Sequence, residues 1–229
     1  MVAPVIVYPC VGIEDDELHA TPQILPEFNN AQNLTTNKAR IFATVDRAHE
    51  TISDLTHARQ LAVMLAALCH AFTDESLTLA TLERLKIHTL EGFDVRGQVV
   101  SIVREQAKPF EIYQAREQDE ALSNGSMRRL AARCELNLLW RVARSQSVDD
   151  EQIAACQWFI ERARKLNIEH APPKLLLQGR HLQEMGLKPS PLFGRIIKAI
   201  YEMQLDESVM NLEEARAAAE DMIATNMYE

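Results

Sequence analysis

The chain has 229 residues, 47% hydrophobic and 25% charged, and can therefore bury a core in one domain or in a body with an appended tail. Only seven glycines and few aromatic residues accompany many helix-forming residues, which favours a nearly all-α fold. The net charge of −9 argues against a general nucleic-acid binder, and four cysteines without C-x-x-C spacing argue against a disulfide framework or a zinc site.

Residues 1–37 are predicted to form an extended N-terminal arm. They hold four of the nine prolines, an acidic cluster at 14–17 and a run rich in Asn, Gln and Thr at 29–37. The apolar start has no basic n-region and is interrupted by Pro4 and Pro9, so we expect no signal peptide. The other apolar runs are too short to cross a bilayer, and we expect a cytoplasmic chain without membrane contact.

Residues 38–168 are predicted to form a helical bundle. Apolar periodicity predicts helices at 38–56, 61–70, 77–87, 94–103, 119–132, 135–144 and 149–166. The segment 61–70 is apolar on all sides, which is typical of a helix in the middle of a bundle.

Residues 169–229 are predicted to form a helical tail. Gly186 is placed to end a short helix in a left-handed conformation. Ser190 then caps a new helix with Pro191 at its first position, where a missing N–H costs nothing. Asn211 caps the last helix, with Glu214 three residues further on.

The tail resembles the C-terminal part of bacterial CCA-adding tRNA nucleotidyltransferases and poly(A) polymerases. Those enzymes read approximately G-[RK]-D-L-x-x-x-G-L-x-P-G-P-x-x-G-x-[IL]-L, followed by a helix, an acidic turn and an E-E-A helix. The matching positions are Gly179, Arg180, Leu182, Gly186, Leu187, Pro189, Pro191, Gly194, Ile197 and the run 213–215. His181 stands where the family has Asp, and Ser190 replaces the middle Gly of P-G-P. The resemblance indicates descent rather than activity, because fold and function separate easily.

Shorter strings upstream resemble the HD domain, an α-helical phosphohydrolase module fused to many CCA-adding enzymes. Residues 66–70 are similar to its A-A-L-x-H-D-x-G-K string, 45–48 to the helix of its first histidine, 103–109 to L-V-x-x-H-x-x-P, and 127–131 to L-R-R-L-A. The resemblance covers residues 38–223 and implies an HD-like helical bundle.

The resemblance also implies which residues occupy the metal-ligand positions. An HD site uses two or three imidazoles and two carboxylates to hold metals that polarise a phosphate and activate a water. The aligned residues here are Arg40, His70, Ala71, Gln106 and Arg144. An arginine at such a position puts a positive charge where the metal's charge belongs. We therefore expect no metal, no cofactor and no catalytic residue, with His70 the only surviving ligand position.

One alternative metal site stays open on the sequence alone. His70 with Asp74 and Glu75 would give a rearranged ligand set, although no second histidine lies nearby in the sequence.

The sequence also lacks the catalytic elements of a nucleotidyltransferase head. It contains no D-x-D pair and no glycine-rich phosphate loop. It contains no G-x-S-x-G motif, and the cysteines have no histidine partner in their sequence context. We expect a pseudoenzyme.

Positive charge is concentrated in residues 126–198, where thirteen Lys and Arg stand against seven Asp and Glu, leaving −15 for the remainder. This permits a basic face on an acidic body, and the alternative is helices with solvated arginines on their outer sides. The candidate contacts with RNA are Arg128, Arg129, Arg133, Arg141, Arg144, Arg180, Lys188, Arg195 and Lys198. Few aromatic residues accompany them, and Trp140 and Trp158 are interpreted as core residues, so no stacking platform is predicted.

Three functions are compatible with these patterns. The first is a non-catalytic HD-like module that binds a protein partner or associates with itself. The second is binding of a tRNA-like RNA, alone or as the body of a split nucleotidyltransferase, with an affinity that falls steeply with salt. The third is a metal-dependent HD phosphohydrolase acting on nucleotides or phosphodiesters, which would require that the ligand assignments be wrong.

Overall fold

The structure is all-α, as the composition predicts. The computed structural model describes residues 25–30, 32, 34–116 and 120–226, so residues 1–24, 31 and 33 of the predicted arm lie outside the described residues. This part contains a short 3-10 helix (Pro26–Asn29), an antiparallel hairpin of β1 (Thr89–Leu90) and β2 (Phe93–Asp94), and eleven α-helices. The helices are α1 Lys38–His49, α2 His57–Cys69, α3 Glu75–Arg84, α4 Val95–Glu105, α5 Lys108–Ala115, α6 Glu120–Ala131, α7 Leu136–Gln146, α8 Asp150–Lys165, α9 Gly179–Glu184, α10 Pro191–Leu205 and α11 Leu212–Asn226.

Helix α2 lies at the centre of the bundle, in the segment that is apolar on all sides. It packs against α1, α4 and α7. Its buried side is formed largely by small residues, and Ala62, Ala66 and Ala67 have no exposed surface. Short side chains let the neighbouring helices approach closely, which explains why three of them surround this element.

The first helix is shorter than the sequence predicted. The prediction extended it to residue 56, whereas α1 ends at His49. Ile52, which continues the apolar periodicity, is buried from a turn rather than from a helix. The amide of Gln60 donates to the carbonyls of Ile52 and Leu55, both at 3.1 Å, and thereby satisfies the backbone of that turn.

Helix α5 was not predicted. The sequence around Pro109 resembles an HD string and carries no predicted helix, but Pro109 lies in the first turn of α5, where proline is tolerated. Ile112 is buried, and the Tyr113 ring meets Trp158 of α8 edge-on with centroids 5.8 Å apart.

The buried side chains form two hydrophobic clusters. The larger contains residues between Phe28 and Ile168, and the smaller contains residues between Leu177 and Ala219. We call them the bundle core and the tail core. The division of the chain into an arm (1–37), a bundle (38–168) and a tail (169–229) stays a prediction.

The two cores meet where α6 contacts the C-terminal end of α10. The guanidinium of Arg128 donates to the Leu205 carbonyl at 3.1 Å and pairs with Glu207, and Arg129 pairs with Glu202 and Asp206. The approach is close, because a methyl group added at Gly125 would lie 2.7 Å from Oδ1 of Asp206. We call this set of contacts the α6–α10 junction.

Local signals in the tail predicted its helix ends well. Gly186 has φ +87° directly after the short helix, and Pro191 occupies the first turn of α10. Asn211 Oδ1 accepts from the Glu214 amide at 2.9 Å, while the Glu214 carboxylate accepts from the Met210 amide at 2.7 Å. Ser190 holds the cap position of α10, but its side chain makes no capping hydrogen bond.

Among the described residues, no helix is both long and apolar enough to span a membrane.

Candidate functional site

Three of the five residues that the resemblance to the HD domain aligns with metal ligands line one cavity. Arg40 lies in the first turn of α1, His70 directly follows α2, and Gln106 directly follows α4. The cavity has a volume of about 310 Å³, and we call it the His70 cavity; its lining residues are Thr35, Thr36, Arg40, Thr44, His70, Gln106 and Gln146. Of the other two positions, Ala71 is fully buried and Arg144 is half-buried in the last turn of α7, two residues before Gln146.

Two glutamine amides tie the helix ends around this cavity together. Nε2 of Gln106 donates to the backbone carbonyl of His70 at 3.1 Å, and Nε2 of Gln146 donates to Oε1 of Gln106 at 2.8 Å. The ends of α2, α4 and α7 are therefore linked by side chains that carry no charge.

The His70 ring is held in one tautomer. Its Nδ1 donates to the carbonyl of Ala67 at 2.7 Å, because a carbonyl only accepts hydrogen bonds. Burial lowers the pKa of His70, the bond to Ala67 acts in the opposite direction, and the positive charges of Arg40 and Arg47 lower it further. The ring is therefore neutral at pH 7, with a lone pair on Nε2.

The charged groups beside the cavity are cationic. Arg47 donates from Nε to the Ser145 carbonyl at 2.6 Å and from Nη2 to the Thr44 hydroxyl at 3.3 Å. Within the described residues, no carboxylate forms an ion pair with Arg40 or Arg47. The lining contains no aspartate or glutamate, so no negative charge within it offsets these guanidinium groups.

The described part of the chain contains no group of three or more His, Cys, Asp and Glu residues that could hold a metal ion. The alternative ligands Asp74 and Glu75 are engaged elsewhere. Asp74 caps α3 by accepting from the Ser76 amide at 3.0 Å, and Glu75 pairs with Arg104 of α4. The pKa of each carboxyl is lowered, by hydrogen bonds from Ser76 and from Arg104 respectively.

The described cysteines are not arranged as nucleophiles. Cys69, Cys134 and Cys156 are buried and free. Burial raises the pKa of both Cys69 and Cys134 to about 12 and also raises the pKa of Cys156. A thiol with such a pKa is almost entirely protonated at neutral pH and reacts slowly. Cys10 lies outside the described residues.

The three arginines of the α6 segment do not form a shared basic face. Arg128 and Arg129 point to the C-terminal end of α10, where both are paired with carboxylates in the α6–α10 junction. Arg133 donates to the carboxylate of Glu105, a buried residue at the end of α4, at 2.7 Å. All three charges are matched by acidic partners distant in sequence.

The two candidate arginines of α7, Arg141 and Arg144, are not fully exposed either. Arg141 is buried, binds both carboxylate oxygens of Asp54 at 2.9 and 2.7 Å, and donates to Oδ1 of Asn137 at 2.9 Å. Arg144 is half-buried. Trp140 and Trp158 are both packed against the bundle core.

The remaining candidates lie together in the tail, and we call them the tail cations: Arg180, Lys188, Arg195 and Lys198. All four are exposed, and none of them forms an ion pair with a described carboxylate. Arg180 donates to Nε2 of His181 at 3.2 Å. The basic surface that the sequence predicted is therefore reduced to four residues of α9, α10 and the loop between them.

Sequence reasoning missed two residues at the His70 cavity. Arg47 lies in a string matched to the first HD helix, and only its tertiary contact with the Ser145 carbonyl shows its place beside the cavity. Gln146 was part of no motif. Its contact with Gln106 joins residues that are 40 positions apart, which no local pattern reveals.

Comparison of this chain with models of known protein families, with curated proteins and with solved structures gives no match.

Proposed function

We propose that this chain is a non-catalytic HD-like helical module, related to the body of CCA-adding tRNA nucleotidyltransferases, and that it acts by binding. The observation that carries the proposal is the convergence of Arg40, His70 and Gln106 on one cavity. Each was aligned with a metal-ligand position through a separate string of the sequence. Residues so far apart in the chain have no local reason to line one cavity, so the convergence supports the alignment.

The composition of the cavity supports the non-catalytic part of the proposal. HD chemistry needs several imidazole and carboxylate ligands around a divalent metal. The His70 cavity offers one imidazole, and its other polar groups are an arginine, two amides and three hydroxyls. A guanidinium next to the imidazole repels a divalent cation. The site therefore lacks what is needed to activate a water.

Metal content and turnover test this directly. The full chain, purified without chelator and without a histidine tag, is expected to hold no stoichiometric metal. With added Mn²⁺ it is expected to turn over neither phosphodiester nor phosphomonoester substrates. Stoichiometric metal together with turnover that His70→Ala abolishes would refute the proposal and restore a phosphohydrolase.

Restoring ligands tests the proposed ancestry of the site. The double variant Arg40→His/Gln106→His places three imidazoles around the cavity and is expected to bind one Co²⁺ with a visible absorption band, because three histidines and a water complete a tetrahedral site. The control is Arg195→His/Gln183→His, which adds two histidines at exposed tail positions. Equal Co²⁺ uptake by the two double variants would contradict the alignment.

A second candidate function is binding of RNA phosphates by the tail, and one observation favours it. The tail cations are exposed and have no acidic partner among the described residues, whereas four of the five candidate arginines in the bundle are paired with carboxylates. Lysine and arginine contact phosphate oxygens without reading sequence, so affinity should fall steeply with salt.

A salt series with tRNA tests this candidate. Arg195→Ala/Lys198→Ala is expected to weaken binding and to lower the slope of log K against log salt by about 0.7 to 0.9 for each phosphate that is no longer neutralised. Lys86→Ala/Lys165→Ala removes two exposed lysines of the bundle and serves as the control. No retention of tRNA at low salt, or equal weakening in both variants, would leave binding of a protein partner as the function.

A further inference from the structure

We propose that the His70 cavity binds the phosphate group of a small phosphate monoester, with Arg40 supplying the positive charge and no metal taking part. The proposal goes deeper into the proposed function and rests on it in one respect only, namely that the cavity binds without hydrolysing. Its own basis is the charge, the donors and the size of the cavity.

The charge of the cavity is the first argument. Arg40 lines it, Arg47 lies beside it, and neither forms an ion pair with a described carboxylate. The lining contains no aspartate or glutamate, so the positive charge of Arg40 is not offset within the cavity. A cationic, partly enclosed site in an acidic protein selects an anion, and guanidinium groups match the geometry of phosphate oxygens.

The hydrogen-bonding groups of the cavity are the second argument. Gln106 and Gln146 each use one amide N–H in the link between the helix ends, and each amide carries a second N–H. The hydroxyl of Thr36 makes no hydrogen bond with a described residue. These N–H and O–H groups, together with the guanidinium of Arg40, can donate hydrogen bonds to the oxygens of a phosphate monoester.

The volume of the cavity indicates the size of the ligand. About 310 Å³ lies at the lower end of the range, roughly 300 to 1,000 Å³, that small-molecule sites occupy. It suits one phosphorylated metabolite, such as a nucleoside monophosphate, and not a nucleic-acid strand.

His70 contributes a hydrogen-bond acceptor to the cavity. Its neutral ring has a lone pair on Nε2, which accepts a hydrogen bond but cannot donate one to a phosphate oxygen. It can therefore accept a hydrogen bond from a hydroxyl group of the ligand. The charged groups around the ring are Arg40 and Arg47 of α1, while α4 and α7 bring the uncharged Gln106 and Gln146.

The test is calorimetric titration of the full chain with inorganic phosphate and with adenosine monophosphate, in buffer that contains a chelator. Both ligands are expected to bind with one-to-one stoichiometry. Gln106→Glu keeps the shape of the side chain and adds a negative charge, and Arg40→Ala removes the exposed guanidinium. Each is expected to weaken binding by roughly tenfold or more, since a charge-assisted hydrogen bond is removed or opposed.

The control is Arg195→Ala, which removes an exposed arginine of the tail and is expected to leave affinity unchanged. Absence of saturable binding of either ligand to the wild-type chain, or equal weakening by Arg195→Ala and Arg40→Ala, would overturn the phosphate site. Phosphate release from the bound monophosphate would instead refute the non-catalytic function and leave the phosphate site intact. Thermal melts of each variant show whether the fold is kept.

Discussion

The imidazole of His70 couples the charge state of one residue to the stability of the whole fold. Burial lowers its pKa in the folded chain below the ordinary value of 6.5. When pH falls below that value, the unfolded chain takes up a proton that the folded chain does not, so stability is lost as pH drops. Well above pH 6.5 both states are neutral at this position and its contribution to stability is complete.

Replacing His70 with glutamine should therefore reduce the acid sensitivity of the fold. Urea unfolding of His70→Gln is expected to show a smaller loss of unfolding free energy between pH 7.5 and 5.5 than the wild-type chain shows. His88→Gln, at an exposed position, removes a histidine without changing the interior and serves as the control. A loss in His70→Gln as large as in the wild type would show that His70 does not carry this pH dependence.

The buried thiols provide a second prediction at the scale of residues. Because burial raises the pKa of Cys69 and Cys134 to about 12 and also raises that of Cys156, alkylation at pH 8 should be limited by opening of the fold. Peptide mass spectrometry after iodoacetamide treatment is expected to find these three cysteines unmodified in the folded chain and modified in urea. Rapid labelling of any of them without denaturant would contradict the burial of that thiol.

At the scale of elements, one buried carboxylate holds three segments of the bundle together. Glu135, at the start of α7, is 5% exposed and accepts from Arg59 of α2 at 2.9 Å. The ring of His170, beyond α8, lies 3.1 Å from the same carboxylate. Arg59 is one-third exposed and stacks over the Phe93 ring of the hairpin, with its guanidinium carbon 4.7 Å from the ring centroid.

The two partners of this pair should respond unequally to substitution. Arg59→Met leaves an ionised carboxylate in the interior and should cost about 2 kcal/mol, below the full range for a buried pair because water reaches Arg59. Glu135→Gln leaves an arginine that water can solvate and should cost about 1 kcal/mol. Urea unfolding at pH 7 measures both free energies. Equal costs would contradict the assignment of the carboxylate as the buried member.

The sequence predicted helix ends better than it predicted tertiary pairing, for a physical reason. Gly186, Pro191 and Asn211 act through backbone conformation and neighbouring N–H groups, which are encoded within a few residues. Arg133 carries no such local signal, because its partner Glu105 is 28 positions away. The same limit applies to α1, whose predicted end at residue 56 followed the burial of Ile52 and missed the turn that Gln60 holds.

The candidate site shows the same division between local and tertiary information. The strings that resemble the HD domain single out Arg40, His70 and Gln106, and all three line one cavity. That they replace metal ligands stays a prediction. The role of Arg47 and the bridge through Gln146 depend on contacts between α1, α4 and α7, so no local pattern predicts them.

At the scale of the whole molecule, part of the positive charge in residues 126–198 is used for internal pairing. Arginines of the basic stretch 126–198 bind carboxylates outside it, and the pairs are Arg128–Glu207, Arg129–Glu202, Arg129–Asp206, Arg133–Glu105 and Arg141–Asp54. These pairs join segments that are distant in the chain. These residues of the basic stretch therefore help to hold distant segments of the fold together. Of the residues proposed to bind RNA, the four tail cations are still available to an anionic partner.

The α6–α10 junction is where this pairing connects the bundle core with the tail core. Arg128 is 12% exposed on its side chain and donates to the Leu205 carbonyl, whereas Arg129 is more exposed and has two acidic partners. An exposed ion pair contributes little, in the range of about 0.2 to 1 kcal/mol, but a bond from a largely buried guanidinium contributes more. We therefore expect Arg128 to stabilise the junction more than Arg129 does.

Removing both arginines should loosen the tail while leaving the bundle intact, because each cluster has its own buried side chains. In Arg128→Ala/Arg129→Ala, hydrogen exchange is expected to show faster amide exchange in α10 and α11 and unchanged exchange in α2 and α7. Lys108→Ala, which breaks an exposed pair with Glu111 within α5, is the control for the removal of a surface charge. Equal acceleration in α2 and α10 would mean that the two cores unfold as one cooperative unit, and the junction would then stabilise the bundle as much as the tail.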